Sequence, residues 1–452
     1  MRKGVVITVT ALTLVVANGR ASANPAEVFG FGSRNAARGG AVAATVEDFA
    51  AGYYNPAGLA FSTGKHLSVG ALGSVSNLHI NDQPSDISEP LGFTFGVTLP
   101  APLGGPLANR FVIGFGMYAL PGTVAQIIAR LPDEPFYPYY DNRTQRVVIL
   151  PALAARLTDE LSFGVAANFL ATLSGRVTAS EGATRALEAR VDEQIPSIAR
   201  LNAGVRWQPR AVPQLGLGLV YRQSFSIPFA TVAQTRVAGE PINLDIAAVG
   251  QYTPTQVTAA AAWRSARAEI ELDLTWGNWS AYPGPFVQVK SELPLVGPLA
   301  GQLPDVPFSD TVGVRIGGEV FIDPARTLAL RGGYAFETSP VPAQQPGVTN
   351  LLDGYKNTVS TGLGLRLPRV LDGRDVRIDV HLQAQLVADR TMAKVITPRG
   401  EPYDSFAGLR DEVTDQPGDP ASAGAQISNP GYPSISSGGQ VYSGGVSVGV
   451  EF

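Results

Sequence analysis

Few residues in this chain of 452 are equipped for catalysis. Its three histidines, His66, His79 and His381, are scattered, and there is no cysteine. No His/Cys spacing suggests a metal site, and nothing implies a cofactor. One acid–base pair stands out: Asp379 lies two residues before His381 on the same side of an alternating segment. A serine hydrolase would need a nucleophile beside that pair, and no serine is marked out as one. The pair therefore reads as polar lining and the chain as a non-enzyme. Recognition chemistry has better candidates. Arg315, Arg331, Arg366 and Arg377 fall on the polar side of alternating segments, with Glu269, Glu271, Asp273 and Glu319 on that same side. Inward charges are costly unless paired, so most of these should pair with one another. An arginine left over would present a fork that matches a carboxylate, but the sequence does not say which of the four it is.

The stretch Gly30–Phe61, GFGSRNAARGGAVAATVEDFAAGYYNPAGLAF, is the one around which the rest of the chain is organised. Its small residues allow close backbone packing, and Asn55-Pro56 followed by Gly58 is a turn signal. It reads as a kinked plug too short to bury a core by itself. Gly32-Ser33, Ala37-Arg38-Gly39-Gly40-Ala41, Asp48 and Tyr54-Asn55-Pro56-Ala57-Gly58-Leu59, in this order and spacing, resemble the N-terminal hatch of the FadL family. Weaker similarities extend along the chain: Asp273-Leu274-Thr275-Trp276 leading to Trp279-Ser280, Phe308-Ser309-Asp310-Thr311 with Arg315, Gly317 and Glu319, and Leu330-Arg331-Gly332-Gly333-Tyr334 before Ser339-Pro340-Val341-Pro342. The family often has Trp where this chain has Phe308. The resemblance implies an all-β fold: a 14-stranded antiparallel transmembrane β-barrel with the hatch inside its lumen. It also implies outer-membrane transport of long-chain fatty acids or other hydrophobic compounds, with hatch movement about Asn55, Pro56, Ala57 and Gly58 and sideways exit through the wall into the lipid. Gly114 and Gly116, in a strand of that wall, are candidates for the gap.

Alternation supports a barrel. In Ala268–Trp279, Ile270, Leu272, Leu274 and Trp276 share one face and Glu269, Glu271, Asp273 and Thr275 the other; Asp375–Val387 repeats the pattern. Fourteen segments can be placed, near 66–77, 91–99, 110–120, 146–156, 161–173, 200–207, 215–228, 255–265, 268–279, 311–321, 327–336, 357–367, 375–387 and 443–452. Links after even-numbered segments are short, roughly 2 to 10 residues, and those after odd-numbered ones longer, roughly 13 to 55. A barrel with turns on one side of a membrane and loops on the other produces that parity.

The ends and loops carry further signals. Arg2-Lys3, an apolar run from Val5 to Ala17 and Ala21-Ser22-Ala23 form a signal peptide over 1–23, leaving a hatch over 24–64 and a barrel over 65–452. At the other end Val446, Val448, Val450 and Phe452 alternate to a terminal aromatic, which resembles the signal that the outer-membrane assembly machinery recognises. Ser180–Arg200 has Leu187, Val191 and Ile195 four apart, which predicts a short amphipathic helix. Leu131–Tyr140, LPDEPFYPYY, carries aromatics suited to an apolar ligand or to the belt at the membrane interface, with the belt preferred. A net charge of -4 and a pI near 5.6 give no reason to propose nucleic acid. Charged residues make up 16% and mean hydropathy is +0.09, values that also suit a water-filled porin or an exported soluble β-protein. The partners expected are therefore a hydrophobic small molecule, outer-membrane lipid and the assembly machinery.

Overall fold

The computed structural model describes residues 28–452 except 86, 88, 90, 120–133, 142–146, 172–173, 182–186, 195–196, 238–239, 283, 285–287, 294–296, 301–305, 346–348, 394, 398–407 and 411–433. The expected signal peptide lies outside the described residues.

Fourteen strands form the wall: β1 (His66–Ile80), β2 (Leu91–Pro100), β3 (Phe111–Ala119), β4 (Val148–Arg156), β5 (Leu161–Ala171), β6 (Ser197–Trp207), β7 (Leu215–Arg222), β8 (Gln256–Arg264), β9 (Ala268–Gly277), β10 (Thr311–Phe321), β11 (Leu328–Glu337), β12 (Lys356–Leu371), β13 (Arg374–Ala393) and β14 (Ser434–Glu451). Each pairs antiparallel with its sequence neighbours, and β14 closes on β1, where His66 faces Glu451 and Ile80 faces Ser437. Closure satisfies every edge, a condition for a sheet immersed in lipid. All fourteen predicted segments correspond to these strands. The largest shifts are β14, which begins at Ser434 rather than near 443, β7, which ends at Arg222 rather than near 228, and β13, which ends at Ala393 rather than near 387.

The pleat divides each strand as the alternation predicts. On β9, Ile270, Leu272 and Leu274 are exposed at 53%, 43% and 50%, while Glu271 and Asp273 are buried. A continuous outward row of Val, Leu, Ile and aromatic side chains would be untenable in water over such an area, and is what acyl chains require. This is an outer-membrane barrel. Its turns, at 101–110, 157–160, 208–214, 265–267, 322–327 and 372–373, lie at one end with the end of β14, and the long links lie at the other. The first outer link, 81–90, is shorter than expected because β1 runs on to Ile80. Strands β12, β13 and β14, of 16, 20 and 18 residues, exceed the roughly ten that a bilayer needs and raise that side of the wall.

Two loop expectations are corrected. Ser180–Arg200 holds no helix among its described residues: Leu187–Gln194 is a strand paired antiparallel with Ser174–Glu181. LEARVDEQ also alternates apolar and charged residues with period two, and pairing with a neighbouring strand selects that period over the helical one. This hairpin joins segments of two other outer loops, Phe225–Val237, Glu240–Thr253, Gln288–Leu293 and Gly297–Ala300, in a second sheet. Nor do the described aromatics of Leu131–Tyr140 form a lipid-facing belt. Phe136, Tyr137, Tyr139 and Tyr140 are buried, packed in one cluster with Leu351 and Leu352 of another outer loop. Tyr137 donates to His79 O at 2.7 Å and accepts from Gly438 N at 2.7 Å, which ties the loop to β1 and β14. Burial pushes its phenol up to about 12, so it remains a donor at neutral pH. Tyr140 donates to Gln385 Oε1 on β13 at 2.5 Å.

Candidate functional site

Residues 28–61 occupy the lumen. Nearly all are buried, and they fold as three short helical turns, Ser33–Ala36, Ala51–Tyr54 and Pro56–Phe61, none long enough to stand alone. Their partners run round the inner wall from β2 to β13. Phe49 lies over Gly96, Arg156 Nη2 donates to Ala60 O at 2.7 Å, Arg222 Nε donates to Tyr53 O at 3.1 Å, and Gln383 Nε2 donates to Ala36 O at 3.0 Å. A segment bonded to opposite sides of a closed wall is inside it.

The Asn55-Pro56-Ala57-Gly58 turn is its most confined part. Asn55 is fully buried; its Oδ1 accepts from Ala57 N at 3.1 Å, capping the turn that Pro56 begins, while its Nδ2 donates to Ala43 O at 2.6 Å and Val205 O at 3.2 Å. Ser162 Oγ donates to Ala57 O at 2.9 Å. The wall accommodates this turn with Gly164 and Gly204, where any Cβ would overlap Pro56, Ala57 or Asn55. Within the plug, a Cβ on Gly58 would overlap Val46 O.

Gly114 and Gly116 serve the same purpose. The β3 ladder runs without a register shift on both sides: Gly114 faces Thr98 and Ala152, and Gly116 faces Gly96 and Leu150. A Cβ on Gly114 would stand 2.7 Å from Leu59 Cδ1, and one on Gly116 2.9 Å from Phe31 Cε1. In place of a gap, these positions are seats for apolar plug side chains.

The opposite arc of the wall holds the plug by charge. Arg34 meets Glu319 at 2.5 Å, and Arg38 meets Glu269 at 2.6 Å and Glu271 at 3.5 Å. Glu47 meets Arg206 at 2.9 Å and Arg264 at 3.1 Å. Burial alone would push the Glu47 carboxyl up, but these two guanidiniums outweigh it and hold it below its usual range. Asp48 has no such pair: burial pushes its carboxyl up, only partly countered by Arg34. The backbone amides of Val42 and Ala43 donate to Asp273 at 3.2 and 3.3 Å, and Ala44 N and the Thr45 hydroxyl both donate to Glu271. The acids of β9 therefore grip the plug rather than the four wall arginines with which they were expected to pair, although Glu269 also meets Arg264 of β8 at 2.5 Å. Arg34, Arg38, Arg206 and Arg264 escaped sequence reasoning; the run of three inward acids on β9 was the available signal that something cationic or amide-rich faces that strand.

The four candidate arginines now separate. Arg331 bridges Glu319 at 2.9 Å and Asp379 at 2.6 Å, and Arg366 pairs with Asp375 at 2.5 Å. Arg315 donates to Thr275 Oγ1 at 3.1 Å and sits 3.9 Å from Glu337. Among the described residues, Arg377 makes no ion pair or hydrogen bond. His381 is buried without a partner for either ring nitrogen, so Asp379 is not engaged with it; Asp379 serves Arg331 instead. The plug divides the lumen into a small outer cavity of about 70 Å³, lined by Phe29, Tyr53, Tyr139, Arg222 and Arg315 among others, and an inner one of about 310 Å³ at the turn end.

A closed wall of fourteen strands with an N-terminal plug bonded inside it decides the comparison. The fold is that of the FadL family. A Pseudomonas aeruginosa FadL homologue superposes with a TM-score of 0.55 at 11% identity, over 93% of this chain and 97% of that one. The Ralstonia pickettii toluene transporter TbuX gives 0.53 at 15% identity, and the P. putida toluene transporter TodX 0.54 at 15%, each over 94% of this chain and 99% of the other. No protein-family model and no curated protein matches the sequence. At these identities the FadL fold persists through its pleat pattern and plug seats, not through a shared set of lumen side chains.

Proposed function

We propose that this barrel carries hydrophobic small molecules across the outer membrane, with the plug as its gate. The observation that supports this most directly is a lumen stopped by a short segment that is seated on wall glycines from β2 round to β12 and ion-paired to β6, β8, β9 and β10. A water-filled porin has no use for such a stopper. Compounds from the size of toluene to a long-chain fatty acid are the substrate class, the former suggested by the toluene transporters that share the fold. In this reading the leader over 1–23 directs export, the strand ending at Phe452 is presented to the assembly machinery, and the outer-membrane lipid receives the substrate.

Sideways exit would use the weakest seam in the wall. Between Ile149↔Phe169 and Ala152↔Ala166, Leu150 and Pro151 have no partner on β5, although both pair with β3. Pro151 has no N–H to give, and opposite its neighbour Leu150 the buried Asn168 Oδ1 is left without a hydrogen bond. Asn202 holds Gly52 O at 3.1 Å and a Cβ on Gly52 would touch Ala152, so the Ala51–Tyr54 turn abuts this seam from inside. Withdrawal of that turn, with the ionic arc as pivot, would connect the lumen to the bilayer.

Uptake of labelled oleate and labelled toluene by cells with and without the gene tests the transport reading; equal uptake of every hydrophobe would sink it. The absence of native cysteine permits a clean test of the seam. In a Pro151→Cys/Ala167→Cys variant the register places the two thiols opposite one another, within disulfide reach. The oxidised form should lose most of its uptake and recover it on reduction. Undiminished uptake in the oxidised form would rule out this exit.

A further inference from the structure

The inner cavity, on the far side of the plug from the outer loops, has a built-in imbalance that the gate does not use. Of its cations, Arg34 and Arg331 are spent on Glu319 and Asp379, Arg366 on Asp375 and Arg326 on the carbonyls of Ser265 and Ala266, while Glu47 is held by Arg206 and Arg264. That leaves Arg377 lining a space of about 310 Å³ with its fork uncommitted. The wall beside it is kept low. Across the ladder Arg377 faces Gly449 on β14, Gly449 faces Ser68 on β1, and Ser68 faces Gly96 on β2, so one inward row reads Arg, Gly, Ser, Gly. The next row adds Ser447 opposite Asp379. Asp379 and Asp48 lie near enough to act on Arg377 but neither is in ion-pair contact, so its fork remains open to a bidentate oxyanion. Asp48 and Glu451 on the same lining oppose a doubly charged ligand. A singly charged one small enough for this polar-lined space suits it better.

We propose that this inner cavity is a binding site for a small organic monocarboxylate, with Arg377 gripping the carboxylate and the Gly449–Ser68 shelf receiving the rest of the molecule. The site faces the turn end of the barrel, so it does not depend on the transport reading; its ligand could arrive from the periplasm or past the plug.

Hexanoate and its neutral counterpart hexan-1-ol are the probes, titrated calorimetrically into the purified full-length protein, with heat-modifiable gel migration as the check on folding. Hexanoate should bind and hexan-1-ol should not. Arg377→Gln should weaken hexanoate about 10- to 100-fold, the range for losing a charge-assisted pair. Gly449→Glu keeps the arginine and supplies an internal carboxylate. A Cβ there meets nothing nearer than Leu67 O at 3.6 Å, so the strand accepts it, and hexanoate binding should vanish. Asp48→Asn keeps the acceptor for Ala50 N while removing the opposing charge, and should tighten binding. Comparing these affinities in the oxidised and reduced forms of the Pro151/Ala167 double-cysteine protein, with probe added to one side of a planar bilayer, separates the two sources. Access from the turn side alone identifies a periplasmic ligand, and access from the loop side a transported one. Equal binding of hexanoate and hexan-1-ol, or unchanged affinity in both Arg377→Gln and Gly449→Glu, overturns the proposal.

Discussion

Replacing Gly164 with valine should turn a closed barrel into a conducting one. Any Cβ at this position overlaps the carbonyl carbon of Pro56 and the amide of Ala57. Those are backbone atoms, so no rotamer change relieves the overlap, and Asn55 and Ser162 pin the turn from either side. Overpacking of a well-filled interior costs about 1–3 kcal/mol where side chains can adjust, and the upper end applies where they cannot. The wall has no reason to fail, because residue 164 takes part in both β5 ladders through its backbone. The plug is the part that should yield. Expected results are steady ion conductance in planar bilayers, where the parent protein stays closed, and easier proteolysis within residues 28–61. Gly332→Val is the matched control: its nearest non-local atom to a new Cβ is Ser360 O at 3.9 Å, and it should behave as the parent does. A Gly164→Val protein as closed as that control would remove the seat from the account of the gate.

Glu319→Gln should produce the largest loss of stability of any single charge removal in the lumen. One carboxylate holds Arg34 of the plug at 2.5 Å and Arg331 of the wall at 2.9 Å. Neutralising it leaves two largely buried guanidiniums, of which Arg331 keeps Asp379 and Arg34 keeps nothing in contact. Breaking a buried pair costs about 3–5 kcal/mol when a charge is stranded, and partial exposure of Arg34 favours the lower end, about 3. The unfolding midpoint should fall accordingly, and hydrogen exchange should rise first in Ser33–Ala36. Adding Arg34→Gln should restore part of the loss, since the stranded charge then disappears; the two changes should not be additive. A Glu319→Gln protein within about 0.5 kcal/mol of the parent would show that the ionic arc does not retain the plug.

Much of this protein could be read without coordinates because a membrane strand declares itself locally. Lipid on one side and a polar lumen on the other force a period of two, so Ile270, Leu272 and Leu274 announce their direction, and Glu271 and Asp273 theirs. Turn lengths follow from the side of the membrane they lie on, and Asn55-Pro56 marks a turn by its own stereochemistry. Pairing across space carries no such local mark. Closure of His66–Ile80 on Ser434–Glu451 and insertion of residues 28–61 decided that Arg38 and three backbone amides of the plug, with Arg264 of β8, meet the acids of β9 in place of the four candidate arginines. The same closure made Gly114 and Gly116 seats for Leu59 and Phe31 rather than a gap. Leu187–Gln194 satisfies both a helical and a strand period, and only a neighbouring strand chose between them. Four arginines that look alike in sequence differ because each takes whichever acid the curved wall brings into contact, and at Arg377 the nearby Asp379 and Asp48 stop short of an ion pair.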